Sequence, residues 1–133
     1  MTTVDRSLIE RFMKGQVACW NSGDKAAFMA LYREVAAESL EIEYVGLPQQ
    51  DGWFVIEEMW DKHNGQFELG VVTTIYNGNE AAIHHHNKII ATGVVIESIE
   101  TYRFEPGSLF VRYFLKAPSA GEVDLTQFRG FAA

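Results

Sequence analysis

Leu8, Ile9, Phe12, Met13, Val17 and Trp20 recur at spacings of three and four, and form one apolar stripe down a helix expected over Asp5–Trp20. Asn21-Ser22-Gly23-Asp24 follows, where Gly23 can take the left-handed conformation that ends a helix and Asp24 can cap the next. Phe28, Leu31, Tyr32 and Val35 mark that second helix. From Ser39 to Val45 the period changes to two, with Leu40, Ile42 and Tyr44 on one face and Glu41, Glu43 and Val45 on the other, which is the pattern of a strand. Beyond a turn at Leu47-Pro48-Gln49-Gln50, Asp51 can cap a third helix. Its apolar positions are Val55, Ile56, Met59 and Trp60, with His63 next in the series and Asn64-Gly65 as its stop.

From Phe67 onward the pattern is that of strands, near 67–76, 80–90, 94–104 and 109–116. They are separated by Asn77-Gly78-Asn79, Ala91-Thr92-Gly93 and Glu105-Pro106-Gly107-Ser108. Connections this short join antiparallel neighbours, so the four strands are expected to form a meander packed against the three helices. The class is α+β, in a single domain over 1–133. The last strand is apolar on both faces, with Phe110, Arg112 and Phe114 on one and Leu109, Val111, Tyr113 and Leu115 on the other. A strand of that kind is expected to be covered twice, by its own core and by a second copy of the chain. The Gly- and Ala-rich tail after Pro118 is expected to be partly loose.

Composition narrows the partners. With 133 residues, 47% of them hydrophobic, the chain can bury a sizeable core. A formal charge of −7 without a basic cluster argues against nucleic acid and anionic membrane surfaces. The single cysteine, Cys19, excludes an intrachain disulfide, and a reducing cytoplasm is the expected compartment. The N-terminus has no apolar run behind a basic stub, and no segment is long and uncharged enough for a bilayer, so neither secretion nor membrane insertion is expected. There is no phosphate-cradling glycine loop, and no nucleotide or other cofactor is expected.

Three stretches carry a family resemblance: ACWNSGDKAAFMALY at 18–32, LEIEYVGLPQQDGWFVIEEMW at 40–60 and IESIETYRFEPGSLFVRYFL at 96–115. In their order the chain resembles the SnoaL-like, ketosteroid-isomerase-like (NTF2-like) superfamily. That resemblance implies a cone of three N-terminal helices on a curved antiparallel sheet, commonly a homodimer, enclosing an apolar pocket for a small molecule. It also implies positions. Glu43 falls where the ketosteroid isomerases of the family keep an aspartate base, and Glu100 where they keep a protonated acid. The tyrosines that complete that site correspond to Gln16 and Trp60, so no phenol is matched there. Losing a strong oxyanion donor costs about 10²–10³ in rate, and authentic steroid isomerisation is not expected.

Against these positions stands the ordinary behaviour of the residue types. Glu41 and Glu43 alternate as they would on a solvated strand face, and Glu97 and Glu100 have Lys88 and Arg103 nearby. Ser98, Glu100 and Tyr102 share a face, which favours a pocket-facing Glu100. The same alternation divides the triplet His84-His85-His86. His85 falls with Ile83, Asn87 and Ile89, and the family resemblance implies that this is the pocket side, where an imidazole can donate, accept or exchange a proton, or can simply be a satisfied core histidine. His84 and His86 face the other way. A metal would need both of them and a third ligand from a neighbouring strand; no HExxH or CxxC pattern supplies one, and no metal is expected.

The residues expected to do chemistry are therefore Glu43, Glu100 and His85, with Gln16, Trp60, Asn87, Ser98, Tyr102, Arg112 and Phe114 around the ligand. Arg112 has two readings, an anion or carbonyl partner inside the pocket or an interface salt bridge. Two functional classes follow. One is a cofactor-independent acid/base enzyme of the isomerase or cyclase kind acting on an apolar carbonyl compound. The other is a non-catalytic ligand-binding or dimerisation module on the same fold.

Overall fold

The computed structural model describes residues 4–116; the tail after Pro118 lies outside the described residues. The three helices form where the stripes and caps place them. Helix α1 (Arg6–Ser22) is capped by Asp5, whose carboxylate accepts the Ser7 N–H at 3.0 Å. It runs two residues beyond Trp20 and ends at Gly23 with φ 74°, a conformation that costs glycine nothing. Asp24 accepts from the Ala27 N–H to start α2 (Lys25–Val35). Asp51 does the same for α3 (Gly52–His63) through the Phe54 N–H.

The strands are β1 (Ser39–Tyr44), β2 (Gln50–Asp51), β3 (Phe67–Asn77), β4 (Glu80–Ile89), β5 (Val95–Glu105) and β6 (Ser108–Leu115). They form one sheet in the order β2-β1-β6-β5-β4-β3. The meander β3–β4–β5–β6 is antiparallel throughout, as its tight turns require. The expectation of a wholly antiparallel sheet is corrected at β1, which lies parallel to β6, with Ile42 beside Val111 and Glu43 beside Arg112. No turn constrains that pair, since α3 and the whole meander intervene and give ample chain for a parallel crossing. The short β2, expected as turn, pairs antiparallel with the outer edge of β1.

All three helices lie on one face of the sheet. Ile9, Phe12 and Met13 of α1, Phe28 and Tyr32 of α2, and Val55 and Ile56 of α3 are buried there against Ile42, Ile83, Tyr102, Phe104 and Val111. Asn21 fastens the end of α1 to β3, its amide exchanging two 2.9 Å hydrogen bonds with the backbone of Leu69. The Trp20 indole N–H donates to the Phe67 carbonyl at 3.0 Å, and the Asn64 amide to the Trp20 carbonyl at 2.9 Å. These contacts hold the helices a fixed distance above the sheet, and that space is the site.

Candidate active site

A cavity of about 120 Å³ lies between the helices and the inner face of the sheet. Its walls are mostly apolar: Trp20, Phe28, Met59, Phe67, Leu69, Ile96 and Leu115, joined by the rings of Tyr32, Tyr44 and Tyr113. The other polar liners are Gln16, His63, His85, Asn87, Glu100 and Tyr102, beside the hydroxyl-bearing Tyr32, Tyr44 and Tyr113. A space of this order accommodates a molecule on the scale of benzene, since a dry cavity of roughly 150 Å³ holds that ligand.

His85 is 2% exposed. Period-2 alternation on β4 turns it inward between Ile83 and Asn87, and Ser98 is its direct neighbour on β5. Its Nδ1 lies 3.2 Å from Oε2 of Glu100, the diagonal neighbour on β5. Its Nε2, equally buried, has no hydrogen-bond partner among the described residues. An ionised carboxylate can only accept, so Nδ1 donates to it and Nε2 is the ring nitrogen left in the cavity wall.

Glu100 is the centre of the polar network. Oε1 accepts from the Tyr102 hydroxyl at 2.6 Å, while Oε2 accepts from Ser98 Oγ at 3.3 Å as well as from His85. Ser98 in turn accepts from the Asn87 amide at 2.9 Å, and that amide also donates to the Ile96 carbonyl. Burial by itself would raise the Glu100 pKa; the attraction of His85 and the hydrogen bonds from His85, Tyr102 and Ser98 outweigh it and hold the group below the ordinary 4.5. That direction, with three donors aimed at its oxygens, favours the carboxylate over the neutral acid that the resemblance implies. Burial and the Glu100 charge push the Tyr102 hydroxyl well above its usual range, so it remains a donor. Above the network, Gln16 Oε1 accepts from Tyr32 at 2.7 Å, and among the described residues its amide nitrogen meets the Met13 sulfur at 3.8 Å and no other acceptor.

Of the residues expected at the site, Gln16, His85, Asn87, Glu100 and Tyr102 line the cavity together. Ser98 stands just behind, as the link between Asn87 and Glu100. Trp60 is one layer further back, its ring 5.3 Å from Trp20 and 4.8 Å from Phe28. Glu43, Arg112 and Phe114 are on the opposite face of the sheet, which corrects their expected place in the pocket. Arg112 Nε bonds Glu43 Oε1 at 3.1 Å, and its guanidinium lies 5.2 Å from the Phe114 ring centre. The cause is alternation: Ile42 and Tyr44 of β1, and Val111 and Tyr113 of β6, take the inner positions. Tyr32, Tyr44 and Tyr113 are cavity residues that were not anticipated. Tyr113 could have been found, because it shares the buried face of β6 with Val111 and Leu115.

No protein-family model matches the chain, and no curated protein matches it in sequence. Solved structures do match in shape. A protein of unknown function with a cystatin-like fold from Methylobium petroleophilum PM1 superposes with TM-score 0.70 at 17% identity, over 92% of this chain and 84% of its own. A protein named as a candidate SnoaL-like polyketide cyclase from Jannaschia sp. CCS1 gives 0.64 at 12% identity, over 87% of this chain and 90% of its own. An NTF2-like protein of unknown function from Cytophaga hutchinsonii ATCC 33406 gives 0.60 at 14% identity, over 87% and 93%. At these identities the likeness is one of architecture, and the architecture of this chain is the NTF2-like, SnoaL-like α+β fold.

Proposed function

We propose that the chain is a cofactor-independent acid/base enzyme acting on a compact, apolar carbonyl compound by isomerisation or ring closure. His85 is the base and Glu100 its positioning partner. One observation carries this reading: His85 Nε2 is buried in the wall of an apolar cavity with no partner among the described residues, while Nδ1 is anchored on a carboxylate. An orphaned buried nitrogen costs free energy unless something uses it. A C–H beside the substrate carbonyl gives its proton to Nε2, and Glu100 stabilises the imidazolium that forms. The Gln16 amide nitrogen, held among the described residues by a sulfur alone, is a donor for the enolate oxygen. The proton then returns to a different carbon, or the carbanion attacks a second carbonyl in the molecule and the new alkoxide takes the proton. The size of the cavity favours one ring over a steroid.

The polyketide cyclase name given to the Jannaschia protein agrees with this chemistry without deciding it. The competing reading, a binding module, is favoured by how completely Glu100 is satisfied from within the protein. We further propose that the chain acts in the cytoplasm as a homodimer joined through the outer face of the sheet. Among the described residues no helix is long and apolar enough to cross a membrane.

The test is exchange of deuterium from solvent into the carbon next to the carbonyl, followed by NMR across a panel of small cyclic ketones, lactones and diketones. Wild type should accelerate exchange, and His85→Gln should lower the rate by roughly 10²–10⁴ with the fold intact. Compounds that bind and emerge unexchanged would sink the enzyme reading and leave the binding module.

A further inference from the structure

We propose that His84 and His86 of β4 and Glu97 of β5 form a binding site for a divalent transition-metal ion of the zinc class, on the face of the sheet opposite the cavity. The spacing of the histidines lacked only a third ligand, and strand pairing supplies it: Glu97 lies directly across from His86 and diagonally from His84. Its Oε1 is 3.0 Å from His84 Nε2 and 3.5 Å from His86 Nε2, and the three candidate ligand atoms all fall within 4.8 Å of one another. Around a tetrahedral ion with bonds of about 2.0–2.2 Å, ligand atoms stand about 3.3 Å apart. Small rotations of exposed side chains are enough to close the set on one ion.

The ligand types select the ion. Two imidazoles and one carboxylate suit zinc, cobalt, nickel or copper, whereas calcium and magnesium take oxygen almost alone. Lys116 faces the other oxygen of Glu97, Oε2, at 3.6 Å, which leaves Oε1 for the imidazoles. Both rings converge on that one oxygen, and a cation replaces their protons while satisfying all three groups. Gly70, the β3 partner of His86, puts no side chain beside the ring. In the single chain the side chains of His86 and Glu97 are 50% and 38% exposed, so an ion can enter from solvent before a second copy covers that face. All three ligands come from one chain, so the site does not depend on pairing with a second copy. Three protein ligands leave a coordination position open to water.

The experiment uses the full-length chain without an affinity tag, stripped with chelator. Zn²⁺ is titrated by calorimetry and Co²⁺ by its visible absorption, whose intensity reports tetrahedral coordination. Saturation at one ion per chain is expected, with a rise in melting temperature when Zn²⁺ is in excess. Glu97→Gln and His86→Gln, both on exposed side chains and each checked for fold by circular dichroism, should each weaken Zn²⁺ at least tenfold and abolish the Co²⁺ band. Absence of saturable binding in the micromolar range, or binding that both variants retain at wild-type strength, would overturn the proposal.

Discussion

Replacing Glu100 with glutamine keeps the shape of the side chain but not its acceptors. Three donors point at the two carboxylate oxygens, and an amide must turn its NH₂ toward at least one of them. Glu100→Gln should therefore lower stability by about 1–3 kcal/mol at neutral pH, as an unsatisfied buried polar contact does. The pH dependence has a definite sign. The folded-state pKa lies below the ordinary 4.5, so the carboxylate's contribution is complete above 4.5 and is lost as pH falls through the lowered folded value. Melting temperatures of wild type and variant should converge over that acidic interval. Parallel curves measured by calorimetry from neutral pH downward would contradict the ionised assignment. Tyr102→Phe deletes the 2.6 Å bond to the same carboxylate, and a bond to a charged group is worth about 1.5–3 kcal/mol. It should destabilise in the same sense, without the donor conflict, as a calorimetric comparison of the two variants can show.

At the level of elements, the contact between α3 and β1 turns on Gly52, the first residue of the helix. A Cβ there would stand 2.7 Å from the Leu40 carbonyl oxygen, and backbone cannot move aside as a side-chain tip can. Gly52→Ala should cost about 1–3 kcal/mol through overpacking. Because α3 carries Met59 and β1 carries Tyr44 to the cavity, ligand affinity should fall along with the melting temperature. An unchanged melting temperature would show that the two elements are less closely locked than their spacing implies. What sequence made legible follows the same division between local and distant causes. The helices and meander were readable because stripes, caps and Gly-containing turns act over a few residues, and Gly23, Asp24 and Asp51 behave as their types require. The parallel place of β1 beside β6 was not, because no local feature sets it. In the site, alternation grouped His85 with Asn87 and Glu100 with Tyr102, and the resemblance supplied which of the two faces meets the cavity they line. Glu43 was drawn into the pocket by resemblance, although the pattern Leu40-Ile42-Tyr44 already assigned it to the other face.

For the molecule as a whole, the helices cover one face of the sheet and leave the other with bulky apolar groups in water. Ile75, Ile99 and Phe114 are 57%, 51% and 39% exposed there. Ile99 and Phe114 are direct cross-strand neighbours on β5 and β6, with Ile75 on the outer strand β3, and the Glu43–Arg112 pair and Arg103 over the Phe110 ring are also on this sheet. Exposed bulky apolar groups on one face are what an interaction site presents, and at about 25 cal/mol per Å² their burial against a second copy is favourable. The proposed homodimer predicts that sedimentation equilibrium in chelator gives twice the chain mass for wild type and a monomer for Ile99→Lys, since a buried unpaired charge costs several kcal/mol. A wild type that stays monomeric at high concentration would remove the pairing. The same variant separates assembly from chemistry. Every wall of the described cavity comes from one chain and lies on the helix side, so pairing through the outer face neither completes nor obstructs it. Exchange dependent on His85 should then persist in the Ile99→Lys monomer at the wild-type rate per chain. A monomer that keeps its melting temperature but loses that exchange would mean that the second copy contributes to the site.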